Sequence, residues 1–138
     1  MTVGVPSPRL RPVGPADRVV PGIAQGMVIT GGQLLVLSGH VPLDADGAVV
    51  GTDHAAQLEQ VFVNMLATLA AAGGDFGSVA RLTFYVRDYR PELLPVIRSM
   101  RDRWIDSARP PASALIGVAA LFHSQVLIEV DGLAVIGR

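Results

Sequence analysis

The sequence predicts an α+β domain, with two helices packed on one face of a mixed sheet in the order β-β-α-β-α-β-β. Three observations carry that prediction. Short apolar or alternating runs bounded by Gly, Pro and Asp read as strands. Two longer stretches repeat apolar residues at helical spacing. Helices and strands interleave from residue 53 onward. The chain has 138 residues, a length that suits one domain with a real core. A Pro/Arg-rich N-terminal arm is placed at 1–20 and a single domain at 21–138.

The arm holds Pro6, Pro8, Pro12 and Pro15 among arginines, which argues for an extended segment or a frayed tail rather than a helix. From Met27 to Val41, two apolar runs flank Gly31-Gly32, a hairpin signal. A turn follows, with Asp46-Gly47 at its tip. Asp53 to Ala72 is the clearest helix: Thr52 or Asp53 can cap it, Gly73-Gly74 ends it, and Leu58, Phe62, Met65, Leu66 and Leu69 share one face. Val79 to Val86 alternates Ala80, Leu82, Phe84 and Val86 against Arg81, Thr83 and Tyr85, as a strand with one apolar face does. Pro91 to Ile105 predicts a second helix with a stripe of Leu93, Val96, Ile97, Met100 and Trp104. Its polar side carries Arg98, Arg101, Asp102 and Arg103, read as a solvated face. Two strands follow, Ser113 to Ala119 and Gln125 to Ile136. Two helices cover only one sheet face. The other face still carries Val, Leu and Ile and is expected to meet other subunits.

Composition narrows the chemistry. Half the residues are hydrophobic and 17% are charged, a globular balance. Formal charge is −1 without a basic patch, so nucleic acid is not indicated as a partner. All eleven basic residues are arginine, which excludes a Schiff-base lysine. The absence of cysteine removes thiol nucleophiles, disulfides and zinc–thiolate sites. The N-terminus lacks the apolar run of a signal peptide, and the run Ala112 to Phe122 is too short to span a bilayer; a cytoplasmic protein without membrane contact is expected.

Five fragments, in order, carry a family resemblance: LVLSGHVPLDADGAVVG with Ser38, Gly39, Pro42 and Asp44; QLEQVFVNMLATLAAAGG with Gln57, Asn64 and Gly73; SVARLTFYVRD with Thr83 and Asp88; RPPASALIGVAAL; and LIEVDGLAV. Together they resemble the Rid (YjgF/UK114-like) family over about residues 20 to 137. The resemblance implies a chorismate-mutase-like fold, a homotrimer, no cofactor, and a small-molecule pocket between neighbouring subunits. It also implies hydrolysis of reactive imines or enamines, such as 2-iminobutanoate and 2-iminopropanoate, to a keto acid and ammonia. Such chemistry needs a carboxylate fork, a placed water and a group that handles a proton.

Residue by residue, the family's water-positioning glutamate falls at Glu129 and its pocket glycine at Gly39. The next residue is His40, a tentative acid/base group in place of a glutamine. The carboxylate-binding arginine falls at Ala112, followed by Ser113 and by Ala114, whose backbone would contact ligand. The family's tyrosine falls near Ile23, and a helix asparagine at about Ile97, within one residue. Three polar positions are thus apolar. Losing the fork costs on the order of 1.5–3 kcal/mol of carboxylate binding and implies a less acidic substrate, unless Arg87, Arg90 or Arg109 compensates. A non-catalytic metabolite-binding or regulatory trimer is the alternative; a ribonuclease is a third reading, disfavoured by the charge.

Taken alone, Glu129 reads as part of a half-exposed strand face or an acid that hydrogen-bonds across a subunit contact, Glu129 and Asp131 as separate structural residues or a carboxylate pair, His40 as structural, His54 as a surface residue, and His123 as surface or interface. No histidine pair has metal-ligand spacing, so no metal is expected. Ser38 lacks a nucleophile elbow. Trp104 and Met100 read as core, and the two Gly-Gly pairs as a turn and a helix stop.

Overall fold

In the computed structural model, which describes residues 9–137, nine elements follow in order: β1 (Leu10–Val13), β2 (Gly26–Ile29), β3 (Gln33–His40), α1 (His54–Ala71), a one-turn 3-10 helix (Phe76–Ser78), β4 (Val79–Arg87), α2 (Leu93–Arg101), β5 (Ala112–Val118) and β6 (Ile128–Ile136). Pro6 and Pro8 lie outside the described residues. The main sheet runs β3-β6-β4-β5, with β4 and β5 parallel and the other pairs antiparallel. Both helices cover one face of it. Between the layers sit Leu58, Phe62, Met65 and Leu69 of α1, Leu93 and Ile97 of α2, and Leu82, Phe84, Ile128 and Val130 of the sheet. Phe62 centres an aromatic group, 5.5 Å from Phe76 and 6.2 Å from both Phe84 and Trp104.

Local chemistry sets the boundaries of α1. The Asp53 side chain accepts from the Ala56 N–H at 2.8 Å, capping the first turn. At the other end Gly73 has φ +86°, and the Gly74 N–H reaches back to Leu69 O at 2.8 Å, closing a Schellman motif. The second helix is shorter than the predicted Pro91–Ile105. It begins at Leu93, so Pro95 falls in the first turn, where N–H groups have no intrahelical acceptor and a proline costs little.

Three expectations are corrected. The glycine turn exists, with Gly31 and Gly32 at φ +72° and +79°, but the strands it joins do not pair. β2 pairs with β1, so Leu10–Val13 of the arm is a strand in a separate two-stranded ribbon. β3 pairs with the nine-residue β6, which lets Leu35 and Leu37 pack toward the core. His54 is buried, at 8% exposure, because its Nε2 meets the Arg87 carbonyl at 2.7 Å and ties α1 to the end of β4. Arg101 is buried too, also at 8% exposure. One turn after Ile97, it falls on the helix's inward side rather than its solvated one. No helix among the described residues is long and apolar enough to cross a membrane.

Candidate functional site

A break in the sheet builds the first part of the site. Along β3, Leu37 stands opposite Gly132 and His40 opposite Val130, so three steps on one strand meet two on the other. The extra residue makes a β-bulge at Ser38-Gly39, a device that re-aims backbone and side chains near functional sites. Beside it, on β6, lies the half-buried Glu129. Its carboxylate passes so close over Gly39 that a Cβ there would collide with it, so a side chain at this position would push the carboxylate out of its seat.

Glu129 also stands opposite Tyr85 of β4, and Asp131 opposite Thr83. The Tyr85 hydroxyl donates to Asp131 Oδ2 at 2.9 Å. Glu129, Asp131 and Tyr85 therefore form one polar group on the face of the sheet that no helix covers. Burial, and then the charge of Asp131, raise the Glu129 carboxyl above its ordinary range. The bond to Asp131, with burial and further negative charge, raises the Tyr85 phenol. A carboxyl that holds its proton more firmly than usual, at the mouth of a bulge, can position a water and pass a proton.

The remaining residues of interest lie elsewhere on the chain. Ala24 bridges to Ala112, and the Ala24 N–H donates to Pro111 O at 3.0 Å, so Ile23 and the start of β5 are neighbours. Ala112 and Ala114 stand opposite Arg81 and Thr83, with Ser113 between them opposite Leu82. Arg81 and Tyr85 are four residues apart on β4, roughly 13 Å of strand, so Ala112 and Glu129 do not share one pocket within a chain. Ile23 lines a cavity of ≈ 620 Å³ with Gly22, Ala24, Arg98, Arg101 and Pro110. Ile97 does not reach that cavity. It is buried against the core, and the next residue, Arg98, lines the cavity instead.

Several candidates are already occupied. His40 contacts Ser38 O through Nδ1 at 2.7 Å and Thr68 Oγ1 through Nε2 at 2.8 Å, so it ties the bulge to α1 and has no free ring nitrogen. A carbonyl only accepts, so Nδ1 carries a proton there. The exposed His123 accepts from the Gln125 N–H at 3.0 Å. Arg87 donates to Ser124 O, and Arg109 pairs with Asp106 at 3.5 Å; neither they nor Arg90 line the Ile23 cavity. Among the described residues no three His, Cys, Asp or Glu side chains converge on a metal-sized site.

Sequence reasoning missed Tyr85 and Arg101. Tyr85 could be assigned to the open face by alternation, but its meeting with Asp131 depends on register between strands far apart in sequence. For Arg101 the signal was present, since it follows Ile97 by one helical turn.

The profile of the family described as Endoribonuclease L-PSP matches residues 24–136. Protein DfrA of Myxococcus xanthus is 34% identical over 121 residues, covering 87% of this chain and 89% of that protein. The 2-iminobutanoate/2-iminopropanoate deaminase of Salmonella typhimurium is 28% identical over 106 residues, covering 75% and 80%. Among solved structures, a protein of unknown function of the conserved Rid family, YyfB from Yersinia pestis, superposes with a TM-score of 0.87 at 31% identity, covering 93% of this chain and 99% of that one.

Proposed function

Because the chain belongs to the endoribonuclease L-PSP family, the Rid or YjgF/UK114-like proteins, we propose that it is a hydrolase of small reactive imines or enamines, working in the cytoplasm as a homotrimer with sites shared between subunits. The observation that carries this reading is the seat of Glu129: a carboxyl with raised proton affinity, pressed over the Gly39 bulge on an uncovered sheet face. Roughly 13 Å of β4 separates the partners of Glu129 and Ala112, which flank that strand on opposite sides; this supports the shared site, since one chain supplies the two parts at places too far apart for one small substrate. A neighbouring copy laid on the open face would complete each pocket.

The proposed chemistry is short. Water attacks the carbon of the protonated imine while the Glu129 carboxylate takes a proton from the water. Glu129 returns that proton to the nitrogen of the resulting carbinolamine. The C–N bond then breaks, releasing ammonia, while the hydroxyl left on the carbon gives its proton to the Glu129 carboxylate and becomes the ketone oxygen. No metal or cofactor is called for. Deaminase relatives support the substrate class.

The test is ammonia release from freshly generated 2-iminobutanoate and 2-iminopropanoate. Wild type is expected to exceed the buffer rate, and Glu129→Gln to lose about a hundredfold or more. Equal rates for the two would remove Glu129 from the mechanism. Ala112→Arg is the third arm: if wild type is inert and this variant gains turnover, the family chemistry was lost at position 112. The second reading, a trimer that binds a metabolite without turnover, draws on the apolar Ala112 and Ile23 and predicts binding with no ammonia release from any variant. Cleavage of RNA is weaker still, since the open face gathers two carboxylates and the chain has no lysine.

A further inference from the structure

The cavity beside Ala112 holds a cation that position 112 does not supply. Arg101 ends α2 and is more than nine-tenths buried. Its guanidinium rests on Gly22, a residue at φ +81°, and a Cβ there would collide with Nη2. Nε and Nη2 both donate to one oxygen, Asp102 Oδ1, at 3.3 and 3.2 Å. Nη1 has no hydrogen-bond partner among the described residues. The Asp102 side chain is itself 47% exposed, so much of its charge is spent on water. A guanidinium buried this deeply normally uses its planar fork on strong acceptors, because a charge removed from water needs partners. Here Nη1 meets no protein acceptor among the described residues and is not sealed from solvent, so it stays open to the cavity.

The guanidinium lies beside a concavity with both apolar and charged lining. The cavity has a volume of ≈ 620 Å³, within the range of small-molecule sites. Pro21, Ile23, Ala24 and Pro110 give it apolar walls, and Arg98, three residues before Arg101, adds a second cation. Two arginines against the single Asp102 leave the cavity net positive. The Ala24 N–H to Pro111 O bond sets its wall directly beside residue 112.

We propose that this cavity binds the carboxylate of the substrate, with Arg101 as the main anchor and Arg98 at the rim. The fork absent from position 112 is thus supplied by α2, from the far side of the Ala24–Pro111 contact. The inference rests on the proposed hydrolase reading for the identity of the acid, and it alters one expectation drawn from the sequence. The substrate remains an imino acid with a short apolar side chain, rather than a less acidic molecule.

Calorimetric titration tests the site without needing turnover. The probes are 2-oxobutanoate, a stable keto acid, and 1-hydroxybutan-2-one, of similar shape without the charge. Wild type is expected to bind the acid at least about tenfold more tightly than the alcohol. Arg101→Lys, which keeps the charge and loses the fork, and Arg98→Gln are each expected to weaken acid binding about tenfold and leave the alcohol unchanged. Absence of acid binding, equal affinity for acid and alcohol, or acid affinity untouched by both variants overturns the proposal. Circular dichroism checks the fold of Arg101→Lys; if that variant does not fold, the acid–alcohol comparison in wild type and the Arg98→Gln titration decide. Acid binding that depends on Arg101, in a protein that releases no ammonia, defeats the hydrolase reading and leaves the site standing. Turnover without such dependence defeats the site alone.

Discussion

Glu129 shows how one residue's environment sets its role. Burial and Asp131 raise its carboxyl, so a reaction that uses Glu129 as a base should lose rate as pH falls through a value above the ordinary glutamate range. Asp131→Asn removes the neighbouring charge and leaves the burial. The acid limb of the kcat/KM profile should therefore move to lower pH, and an unmoved limb would place the two carboxyls out of contact. Stability runs the other way. A raised folded value favours the protonated form, so this contribution is fully present below the unfolded glutamate pKa and is lost as pH rises through the folded one. Glu129 and Gly39 were both legible in the sequence, since each sits in a motif fragment. His40 was legible only as a candidate: its bond to Thr68, 28 residues away, exists because β3 packs beside α1.

At the scale of elements, the site depends on how α1 grips the segment that leads into β6. Gln57 is buried and makes three hydrogen bonds: Nε2 donates to Gly51 O at 3.2 Å and to Gln125 O at 2.8 Å, and Oε1 accepts from the Leu127 N–H at 2.7 Å. Leu127 lies two residues before Glu129. Gln57→Ala leaves those backbone groups buried and unpaired and should cost about 3 kcal/mol in denaturant unfolding. A loss under about 1 kcal/mol would mean that water replaces the side chain freely. The helix and its caps were readable because period and cap chemistry are local. The partner of β3 was not: the Gly31-Gly32 turn looks the same whether its two strands pair or part, and β3 pairs with β6, nearly a hundred positions further along the chain.

For the whole molecule, the uncovered sheet face matters most. Leu34 and Val36 on β3 are 60% and 69% exposed, on the face that also carries Glu129 and Asp131. Exposed apolar residues beside an incomplete polar site suit an interface between copies. Light scattering should give three times the chain mass of 14.5 kDa, and Val36→Glu should shift the protein toward monomer and reduce turnover together. A wild-type mass near one chain would remove the shared-site mechanism. By itself the sequence determined the α+β class, the main helix and most strands, and the family to which the motif fragments belong, because these follow from periodicity and short-range chemistry. The tertiary structure alone decided which strands pair, that Tyr85 meets Asp131, that His54 and Arg101 are buried, and that Glu129 and Ala112 stand apart. Each of those facts depends on register or packing between segments distant in the chain, which no local pattern encodes.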